Sequence, residues 1–593
     1  MRVVPLVSPF AALLATMLAL PAGAQTIYPI NRAEILAGSR FDLKVEFPGL
    51  VDAASVKLEI NGKDAAAVLG HSAELIAKED GKDASSLILH SASIRKPGSY
   101  TVTASDGNSS KSVTWNVYAT SAKPAAKNVI LFIGDGFSIG HRTAARILSR
   151  GIEDGKFVGK LAMDSMPYMA LLTTQGTDSI ITDSANAAHA YTTGHKSCVN
   201  ALGVYCSRAA STLDHPKVET ITEIAKRQGL AVGAVTNSEI EDATPASMAA
   251  HTRRRSDFND IVKMFYDSKI DVLMGGGSPN FLPKSTPGSK RTDDVDYIEQ
   301  FKSAGYSFAT TKSEMNQEAD TAKTTKLLGL YNTSNIDGAL DLKFLKKGSV
   351  SKFPDQPDVV EEMRAAIKIL SRNKKGFVLM VESARIDKYA HSMDAERSIY
   401  DVIMLDNAVK AAQDWAKANG NNTMILVTAD HSHPVSVIGT VNDNVVADEM
   451  RNKVGTYQEA GFPDYQRNDE GYPVSVDVPR RLRFVFGATP DYYDTFKPFL
   501  DGEFVPAIKN ADGTMVANEK YKDIPGAVLR VGNLPNKGQS AANQGVHSGD
   551  DVILTAMGPG AERVHGQMEN SDLFRIMAEA LSLAPQGKSG VKK

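Results

Sequence analysis

The sequence predicts an α/β fold, with a central, mostly parallel sheet covered by helices on both faces and a small all-β domain in front of it. Three apolar runs, Val129–Ile133, Phe377–Val381 and Met424–Val427, contain no polar residue, and a helical stretch at 359–370 precedes the second run. Unbroken apolar strands that alternate with helices are typical of a parallel sheet buried on both sides. Nearer the N-terminus, Phe41–Phe47 alternates apolar and polar residues, which indicates a half-buried strand.

The composition is that of an ordinary globular protein and excludes several other classes. The 593 residues are 42% hydrophobic and 23% charged, with two cysteines. Long disorder, a collagen-like repeat and a disulfide-rich small scaffold would each require a different balance. The formal net charge of −3 gives no basic footprint for nucleic acid or for an anionic membrane.

The first 24 residues predict a secretory signal. A positive charge at Arg2 is followed by the apolar run Ala11–Leu20 and by the small residues Ala22–Ala24, so we expect a mature N-terminus at Gln25. The alternative, a membrane anchor, is disfavoured because the run is shorter than the ~20 residues that span a bilayer. We therefore expect an exported protein, periplasmic or extracellular and without a membrane anchor.

Residues 25–120 predict an immunoglobulin-like β-sandwich. Val56–Ile60 and Tyr100–Ala104 alternate in the same way as the first strand, with turn residues between the segments. No cluster of chemically reactive side chains occurs in this region, so we expect a spacer or a module that binds a surface or polymer. Residues 121–127 form a small, proline-containing linker.

Residues 128–585 form the predicted α/β domain. Within it, the segment at about 434–545 is rich in Tyr, Pro, Asp and Asn and has only short periodic pieces, which indicates an insertion above the sheet. The sequence leaves open whether this insertion covers a site or forms an interface. The tail at 586–593 is polar, so no lipid-anchor signal is expected there.

Acidic and imidazole side chains follow each of the three apolar strands. Because the carboxyl ends of parallel strands meet at one edge of a sheet, we expect these side chains to converge where ligands bind. Mixed carboxylate and imidazole ligands suit zinc, and carboxylates alone suit magnesium. A single Asp-His step is usually a solvated loop, so the prediction depends on the joint placement. The side chains concerned are Asp135, Glu382, Asp387, His391, Asp430, His431 and His433, with His547 further along the chain.

Ser184 is the candidate nucleophile. It lies in Thr182–Ser184, directly before a helix of small residues at 185–191. A serine at this place is ordinarily a helix cap, but a hydroxyl there also lies at the positive end of a helix, where a phosphoryl group is favoured. Serine is a weak nucleophile without a base or a metal. No G-x-S-x-G elbow surrounds Ser184, so we expect a metal ion to activate it.

Cys198 and Cys206 predict a local disulfide. They lie eight residues apart in a chain that we expect to reach an oxidising compartment. A zinc pair is the weaker alternative, since no second pair of cysteines completes a four-ligand site.

A series of ordered motifs runs from about residue 128 to 585. The motifs are Asn128–Gly136, Thr182–Ser184 with Thr193-Gly194 and Ala201–Val204, Asp242–Ala246 with His251 and Arg255, Glu382–His391, Thr428–His433 and Val546–Gly549. Together they resemble the motifs of the alkaline phosphatases, while residues 25–120 lie outside the resemblance. The resemblance implies an alkaline phosphatase-like fold for residues 128–585.

The resemblance implies that the protein hydrolyses phosphate monoesters to an alcohol and inorganic phosphate through a phosphoserine on Ser184. It also implies two zinc ions and one magnesium ion per chain. The implied ligands are Asp387, His391 and His547 for the first zinc; Asp135, Asp430 and His431, with Ser184, for the second; and Asp135, Thr244 and Glu382, with Asp242 through water, for the magnesium.

Arg255 and Lys388 are the implied phosphate-binding residues. A planar guanidinium can grip two phosphate oxygens, but Arg253–Arg255 could equally be a solvated basic run, and only the resemblance selects Arg255. Lys388 resembles the lysine that some bacterial members pair with the aspartate at the position of Asp242. His433 is expected to partner a carboxylate or histidine rather than a metal.

Three other functions are disfavoured by particular residues. Neither cysteine lies in the C-x-P-x-R-like setting of a sulfatase. A two-zinc phosphodiesterase typically uses threonine as nucleophile and lacks the magnesium ligands that Thr244 and Glu382 would supply. A catalytically inactive surface protein would have lost ligands, and none is missing. The sequence leaves the preferred leaving group and the oligomeric state open, although homodimers are frequent in the family.

Overall fold

The computed structural model describes residues 25–537 and 543–585. The predicted signal at 1–24 and the polar tail at 586–593 lie outside the described residues. The described chain forms two compact units, one made of residues 25–32, 42–92 and 99–115, the other of 33–41, 93–98 and 116 onward. Among the described residues, none of the helices combines the length and apolar character needed to cross a membrane.

The N-terminal region is rich in strands, as predicted. In the first unit one sheet has the order β1-β3-β7-β6, and β8, β4 and β5 pair antiparallel in another. Trp115 is completely buried in this unit, and its indole N–H donates to the carbonyl of Pro29 at 2.9 Å. The elements are β1 Thr26–Tyr28, β2 Ala33–Leu36, β3 Phe41–Glu46, β4 Lys57–Ile60, β5 Lys63–Asp64, α1 Ala65–Leu69, β6 Glu74–Ile76, β7 Ser86–Ala92, β8 Gly98–Ser105 and β9 Ser110–Tyr118.

The rest of the chain alternates strands and helices up to the segment that the sequence marks as an insertion. The strands are β10 Asn128–Gly134, β11 Ile152–Glu153, β12 Lys156–Phe157, β13 Tyr168–Thr173, β14 Ala231–Glu239, β15 Val272–Gly276, β16 Ser307–Ala309, β17 Leu327–Leu330, β18 Phe377–Ser383, β19 Thr423–Ala429, β20 Val435–Asn442, β21 Val454–Gly455, β22 Arg480–Phe486, β23 Tyr492–Asp494, β24 Ala507–Lys509, β25 Met515–Ala517, β26 Val528–Arg530, β27 Val552–Met557 and β28 His565–Glu569. The helices are α2 Ile139–Arg150, α3 Ser184–Thr193, α4 Ile221–Gln228, α5 Ala243–Ala246, α6 Phe258–Ser268, α7 Tyr297–Ser303, α8 Lys312–Asp320, α9 Val359–Leu370, α10 Arg385–His391, α11 Ala395–Ala418 and α12 Asp572–Leu581.

The central sheet of the second unit has the order β16-β17-β15-β14-β18-β10-β19-β27-β13-β28. All of its pairings are parallel except those that β27 makes with β19 and β13, so the predicted α/β class and mostly parallel sheet are confirmed. The apolar runs form β10, β18 and β19, which lie side by side and are buried along their whole length. Helices α11 and α12 both pack against β10, and α9 packs against β14 and β18.

Residues 435–530 build small antiparallel sheets outside the central sheet. Strands β21, β20 and β22 form one of them, and β23 with β26 and β24 with β25 form two-stranded pairs. Aromatic rings pack between these pieces, with the rings of Phe499 and Phe504 stacked at a centroid distance of 4.2 Å. The segment therefore has its own small core, in keeping with its weak periodicity.

The predicted disulfide is confirmed. Cys198 and Cys206 are bonded, with their Cα atoms 6.1 Å apart, a separation that a disulfide spans without moving the backbone. The bond closes a loop shortly after α3.

Candidate active site

The site is assembled by the register of the three central strands. Glu382 on β18 pairs with Ile133 on β10, and Ala429 at the end of β19 pairs with Gly134. Asp135 and Asp430, the residues that directly follow β10 and β19, therefore leave the sheet side by side. The sequence prediction that these loops open at one sheet edge agrees with this register.

Ser184 is the first residue of α3, but it does not cap the helix. Asp183 is the N-cap, and its carboxylate accepts the backbone N–H of Asn186 at 3.2 Å. Ser184 as a residue is only 3% exposed, and its hydroxyl instead lies 3.4 Å from Oδ1 of Asp135 and 3.3 Å from Nε2 of His431. The serine is therefore available for chemistry at the helix N-terminus.

The first group of predicted ligands, which we call the aspartate cluster, consists of Asp135, Asp430 and His431. Nε2 of His431 lies 3.2 Å from Asp135 and 3.5 Å from Oδ2 of Asp430. The other oxygen of Asp430 accepts the backbone N–H groups of Gly136 and His431 at 3.0 and 2.9 Å, which fixes the carboxylate in place. All three cluster residues are buried, and their ligand atoms lie close enough together to hold one metal ion.

The second group, the histidine cluster, consists of Asp387, His391, His433 and His547. Oδ1 of Asp387 lies 2.6 Å from Nε2 of His433 and 3.3 and 3.4 Å from Nε2 of His391 and His547. The sequence assigned His433 to a carboxylate partner rather than to a metal. The arrangement of ligand atoms that could hold one metal ion combines His433, His431 and His547 with Asp387, whereas His391 lies just beside it.

Hydrogen bonds to carbonyl groups orient two of these imidazoles. Nδ1 of His391 lies 2.7 Å from the carbonyl of Gly545, and Nδ1 of His547 lies 2.8 Å from the carbonyl of Thr182. Because a carbonyl only accepts, both Nδ1 atoms carry a proton, and the two Nε2 atoms, 3.1 Å apart, are the ones that can bind a metal when the rings are neutral. Two converging lone pairs beside a carboxylate suit a cation between them.

The predicted magnesium ligands lie at the end of β18 and at the start of α5. Glu382 is buried and accepts a hydrogen bond from the hydroxyl of Thr236. Thr244 is also buried, and its hydroxyl, like that of Thr236, favours the charged form of Glu382. Asp242 caps α5 and forms ion pairs with Lys388 and Arg255, both at 2.7 Å.

The crowding of buried carboxylates shifts their pKa values strongly. Burial, with Asp387 and Glu382 nearby, raises the pKa of Asp135 well above its ordinary value. Burial and the charge of Asp135 raise the pKa of Asp430 to about 7, and burial raises that of Glu382 to about 8. Carboxylates that repel one another at one sheet edge are stabilised in the ionised form by divalent cations, so the donor set fits metal ions.

Two of the imidazoles favour the neutral form that binds metal, and the carboxylate among them is ionised. Burial lowers the pKa of His391 and of His431, whereas the contact with Asp387 raises the pKa of His547 in spite of its burial. Burial alone would raise the pKa of Asp387, but His391 and His433 hold it well below its ordinary value. Neutral imidazole with ionised carboxylate is the protonation state that zinc sites require.

The structure shows which of the three consecutive arginines reaches the site, a choice that the sequence alone left open. Arg254 is 63% exposed in its side chain and pairs with Asp257, while Arg253 donates to a backbone carbonyl. Only Arg255 reaches the site, where Nη1 lies 3.2 Å from Asp183 and Nη2 lies 2.7 Å from Asp242. Burial lowers the pKa of Arg255, but the two carboxylates more than offset this and raise it above its ordinary value.

One supporting residue, Asn237, escaped the sequence analysis. The side-chain oxygen of Asn237 accepts the N–H groups of Ala384 and Arg385 at 2.8 and 3.3 Å, and so caps α10, which carries Asp387 and His391. Its amide nitrogen donates to Asp401 at 2.9 Å. No sequence signal marks Asn237, because its partners lie more than 140 residues away along the chain.

Comparison with known proteins gives a consistent result over the α/β unit. The family model described as alkaline phosphatase matches residues 126–583. The chain is 33% identical to the alkaline phosphatase of Escherichia coli over an alignment of 504 residues that covers 78% of this chain and 87% of that protein. It is 31% identical to alkaline phosphatase 3 of Bacillus subtilis over 465 residues, with 77% and 89% of the two chains covered.

Solved structures show the same fold. The alkaline phosphatase of Thermus thermophilus aligns with a TM-score of 0.54 at 22% identity, covering 78% of this chain and 93% of that one. The alkaline phosphatase of the Antarctic bacterium TAB5 aligns with a TM-score of 0.51 at 21% identity, covering 77% and 99%. Residues before 126 lie outside the matched family model.

Proposed function

Because this chain belongs to the alkaline phosphatase family and is therefore a hydrolase of phosphate monoesters, we propose that it works through a phosphoserine on Ser184 at a two-zinc and one-magnesium site. The observation that carries the proposal is the hydroxyl of Ser184. It lies at the N-terminus of α3, is not used as a cap, and is 3.4 Å from Asp135 and 3.3 Å from His431.

The metal ligands that we propose are those implied by the family resemblance. Asp387, His391 and His547 would hold one zinc ion, and the aspartate cluster with Ser184 would hold the other. Asp135, Thr244 and Glu382 would hold the magnesium ion, with Asp242 acting through water. When bound, such ions act as Lewis acids that stabilise negative charge on the attacking and leaving oxygens.

The protein positions the nucleophile and favours an anion beside it. The first N–H groups of α3 and the positive end of the helix point toward the place where a phosphoryl group would meet Ser184. Asp183 takes over the capping role, so the serine hydroxyl remains directed at the aspartate cluster.

Arg255 and Lys388 would bind the phosphate oxygens. Arg255 is held by Asp183 on one side and by Asp242 on the other, which fixes the plane of its guanidinium before substrate arrives. Lys388 lies 2.7 Å from the second oxygen of Asp242. Phosphoryl transfer depends mainly on positioning and charge stabilisation, and this pre-arranged pair of cations supplies both.

We extend the proposal to the organisation of the whole chain. Residues 25–120 would be a separate sandwich domain joined through the linker at 121–127, and 434–545 an insertion in the catalytic domain at 128–585. The N-terminal domain would bind a surface or polymer. The protein would be exported to the periplasm or the extracellular space, act on small phosphate monoesters, and form homodimers as members of the family frequently do.

The test is a pair of serine variants in the metal-loaded enzyme. With a monoester carrying labelled phosphate, the wild type should trap label covalently on brief acid quenching, and Ser184→Ala should lose both the label and most of the turnover. Ser371→Ala, at the C-terminal cap of α9, is the matched control and should behave as the wild type. Covalent label that persists in Ser184→Ala would refute the assignment of the nucleophile.

Metal content tests the second half of the proposal. Purified enzyme should contain two zinc ions and one magnesium ion per chain, and chelation should abolish monoester hydrolysis until the metals are restored. A two-zinc phosphodiesterase would instead turn over a diester faster than the matched monoester, which the same preparation can measure.

A further inference from the structure

Two isoleucines with exposed side chains directly precede the nucleophile segment Thr182–Ser184. Ile180 is 78% exposed and Ile181 is 40% exposed. A single exposed aliphatic residue is normal on a protein surface and needs no explanation. Two adjacent ones become informative when they border a reaction site, because they offer apolar contact to whatever occupies it.

The pair lies against the loop that carries His547. A Cβ atom on Gly549 would be 3.3 Å from the carbonyl oxygen of Ile180 and 3.8 Å from Cγ1 of Ile181. Two residues earlier, His547 makes its hydrogen bond with the carbonyl of Thr182, the residue after Ile181. The two isoleucines are therefore at the rim of the histidine cluster.

The histidine cluster is at the end of the site where a leaving group would depart. Phosphoryl transfer places the attacking and leaving oxygens roughly in line on opposite sides of phosphorus. Ser184 contacts the aspartate cluster. The ring of His547 stacks on that of His431 with centroids 3.5 Å apart, so the two clusters adjoin. Under the proposed function Ser184 and the leaving oxygen face different zinc ions, and the leaving oxygen would lie toward the ion that Asp387, His391 and His547 would hold.

The exposed charges beside the two isoleucines are negative. Asp178 is two residues before Ile180 and is exposed, and Asp550 directly follows Gly549 and is also exposed. The carboxylate of Asp178 accepts the N–H of Val199, and that of Asp550 accepts the hydroxyl of Ser548, so no cation among these contacts neutralises either one. A leaving group that carries its own negative charge would be repelled here.

We propose that the side chains of Ile180 and Ile181 form an apolar contact surface for the leaving group, so that the enzyme favours monoesters of uncharged aliphatic or aromatic alcohols. The inference rests on the proposed function of Ser184, since it depends on which end of the site receives the leaving oxygen. An alkyl chain that lies against the two isoleucines on one side loses contact with water over about half of the surface of each methylene. The resulting gain in binding free energy predicts that kcat/KM rises with chain length.

The experiment compares kcat/KM for ethyl, butyl and hexyl phosphate, whose leaving-group basicities are nearly equal. Wild type should prefer hexyl over ethyl phosphate by roughly tenfold. In the variant with Ile180→Ser and Ile181→Ser, kcat/KM should fall more for hexyl than for ethyl phosphate, so that the preference shrinks to about twofold or less. The matched control replaces two exposed valines elsewhere in the chain, Val446→Ser and Val531→Ser, and should keep the wild-type preference.

A second part of the experiment places a negative charge at the end of the leaving group. The monoester of 6-hydroxyhexanoate, which ends in a carboxylate, should lose most of the advantage of hexyl phosphate. Equal rates for ethyl and hexyl phosphate in the wild type, or an unchanged preference in the double serine variant, would overturn the inference while monoester hydrolysis itself stood. A change in assembly size without a change in preference would show that a second copy of the chain covers the pair, which also overturns it. Failure to hydrolyse even ethyl phosphate would instead refute the proposed function.

Discussion

Asp183 connects the stability of the nucleophile helix to the position of the phosphate-binding arginine. One of its oxygens accepts the N–H groups of Asn186 and Asn200 at 3.2 and 3.1 Å, and the other accepts Nη1 of Arg255 at 3.2 Å. Replacing Asp183 by Ala removes all three bonds. Replacing it by Asn retains an oxygen that can accept the two backbone N–H groups but removes the charge that holds Arg255.

The expected magnitudes differ for the two roles. Loss of an N-cap destabilises a helix terminus by about 1 kcal/mol, so Asp183→Ala should speed amide hydrogen exchange at the start of α3 by roughly fivefold, whereas Asp183→Asn should change it little. A charge-assisted hydrogen bond contributes about 1.5–3 kcal/mol, but Asp242 still holds Arg255 at 2.7 Å. We therefore expect both variants to weaken inhibition by inorganic phosphate by roughly tenfold.

The assay pairs the inhibition constant for phosphate with exchange at Asn186, both in metal-loaded enzyme. Wild-type phosphate affinity in Asp183→Asn would refute the idea that Asp183 positions Arg255. Equal exchange rates in the Ala and Asn variants would refute the separation of the capping role from the charge. Asp257→Asn, which removes the ion-pair partner of Arg254 instead, is the control and should leave phosphate inhibition unchanged.

Three further predictions follow from the charges of the site and its surroundings. Burial raises the pKa of Asp242, but Lys388 and Arg255 lower it below its ordinary value. Lys388→Met should therefore raise the pKa of Asp242 and, because one cation is lost, weaken inhibition by phosphate by roughly tenfold. An unchanged inhibition constant would contradict this. Burial and Asp394 raise the pKa of Glu396 to about 7, so the folded protein binds a proton that the unfolded chain releases near pH 4.5, and stability is lost as the pH rises between these values. At pH 8, Glu396→Gln should therefore melt at a higher temperature than wild type, by the equivalent of roughly 3 kcal/mol, whereas at pH 4 the two should melt at the same temperature. Chelation should lower the melting temperature, and added metal should raise it progressively with concentration, because metal binds only the folded site. A melting temperature that does not respond to zinc or magnesium would contradict this.

The fold and the convergence of the site were largely predictable from local patterns. The apolar runs predicted β10, β18 and β19, and the parallel arrangement predicted that Asp135 and Asp430 leave the sheet at one edge, which the register confirms. The assignment of the site to a particular reaction came from the ordered motifs, and the family match over residues 126–583 confirms the family. The role of each ligand remains a prediction that the metal analysis will test.

Other features could not be read from the chain. From the sequence, Ser184 could have been an ordinary helix cap, and only the structure shows that Asp183 caps α3. The choice among the three arginines depended on the resemblance, whereas the geometry shows directly that Arg255 reaches Asp183 and Asp242. Asn237 caps α10 from a different strand, and no helix-start pattern near Ala384 announces it.

The sequence by itself determined what depends on neighbours along the chain: the buried strands, the loops that follow them, the amphipathic helices and the disulfide between two nearby cysteines. Only the tertiary structure decided the features that depend on groups brought together from distant segments, such as the ring nitrogen of His547 that carries the proton and the exposure of Ile180 beside Gly549. The physical reason is that periodicity and propensity are local properties. Hydrogen-bond partners, desolvation and charge crowding instead depend on distances that the folded backbone alone fixes.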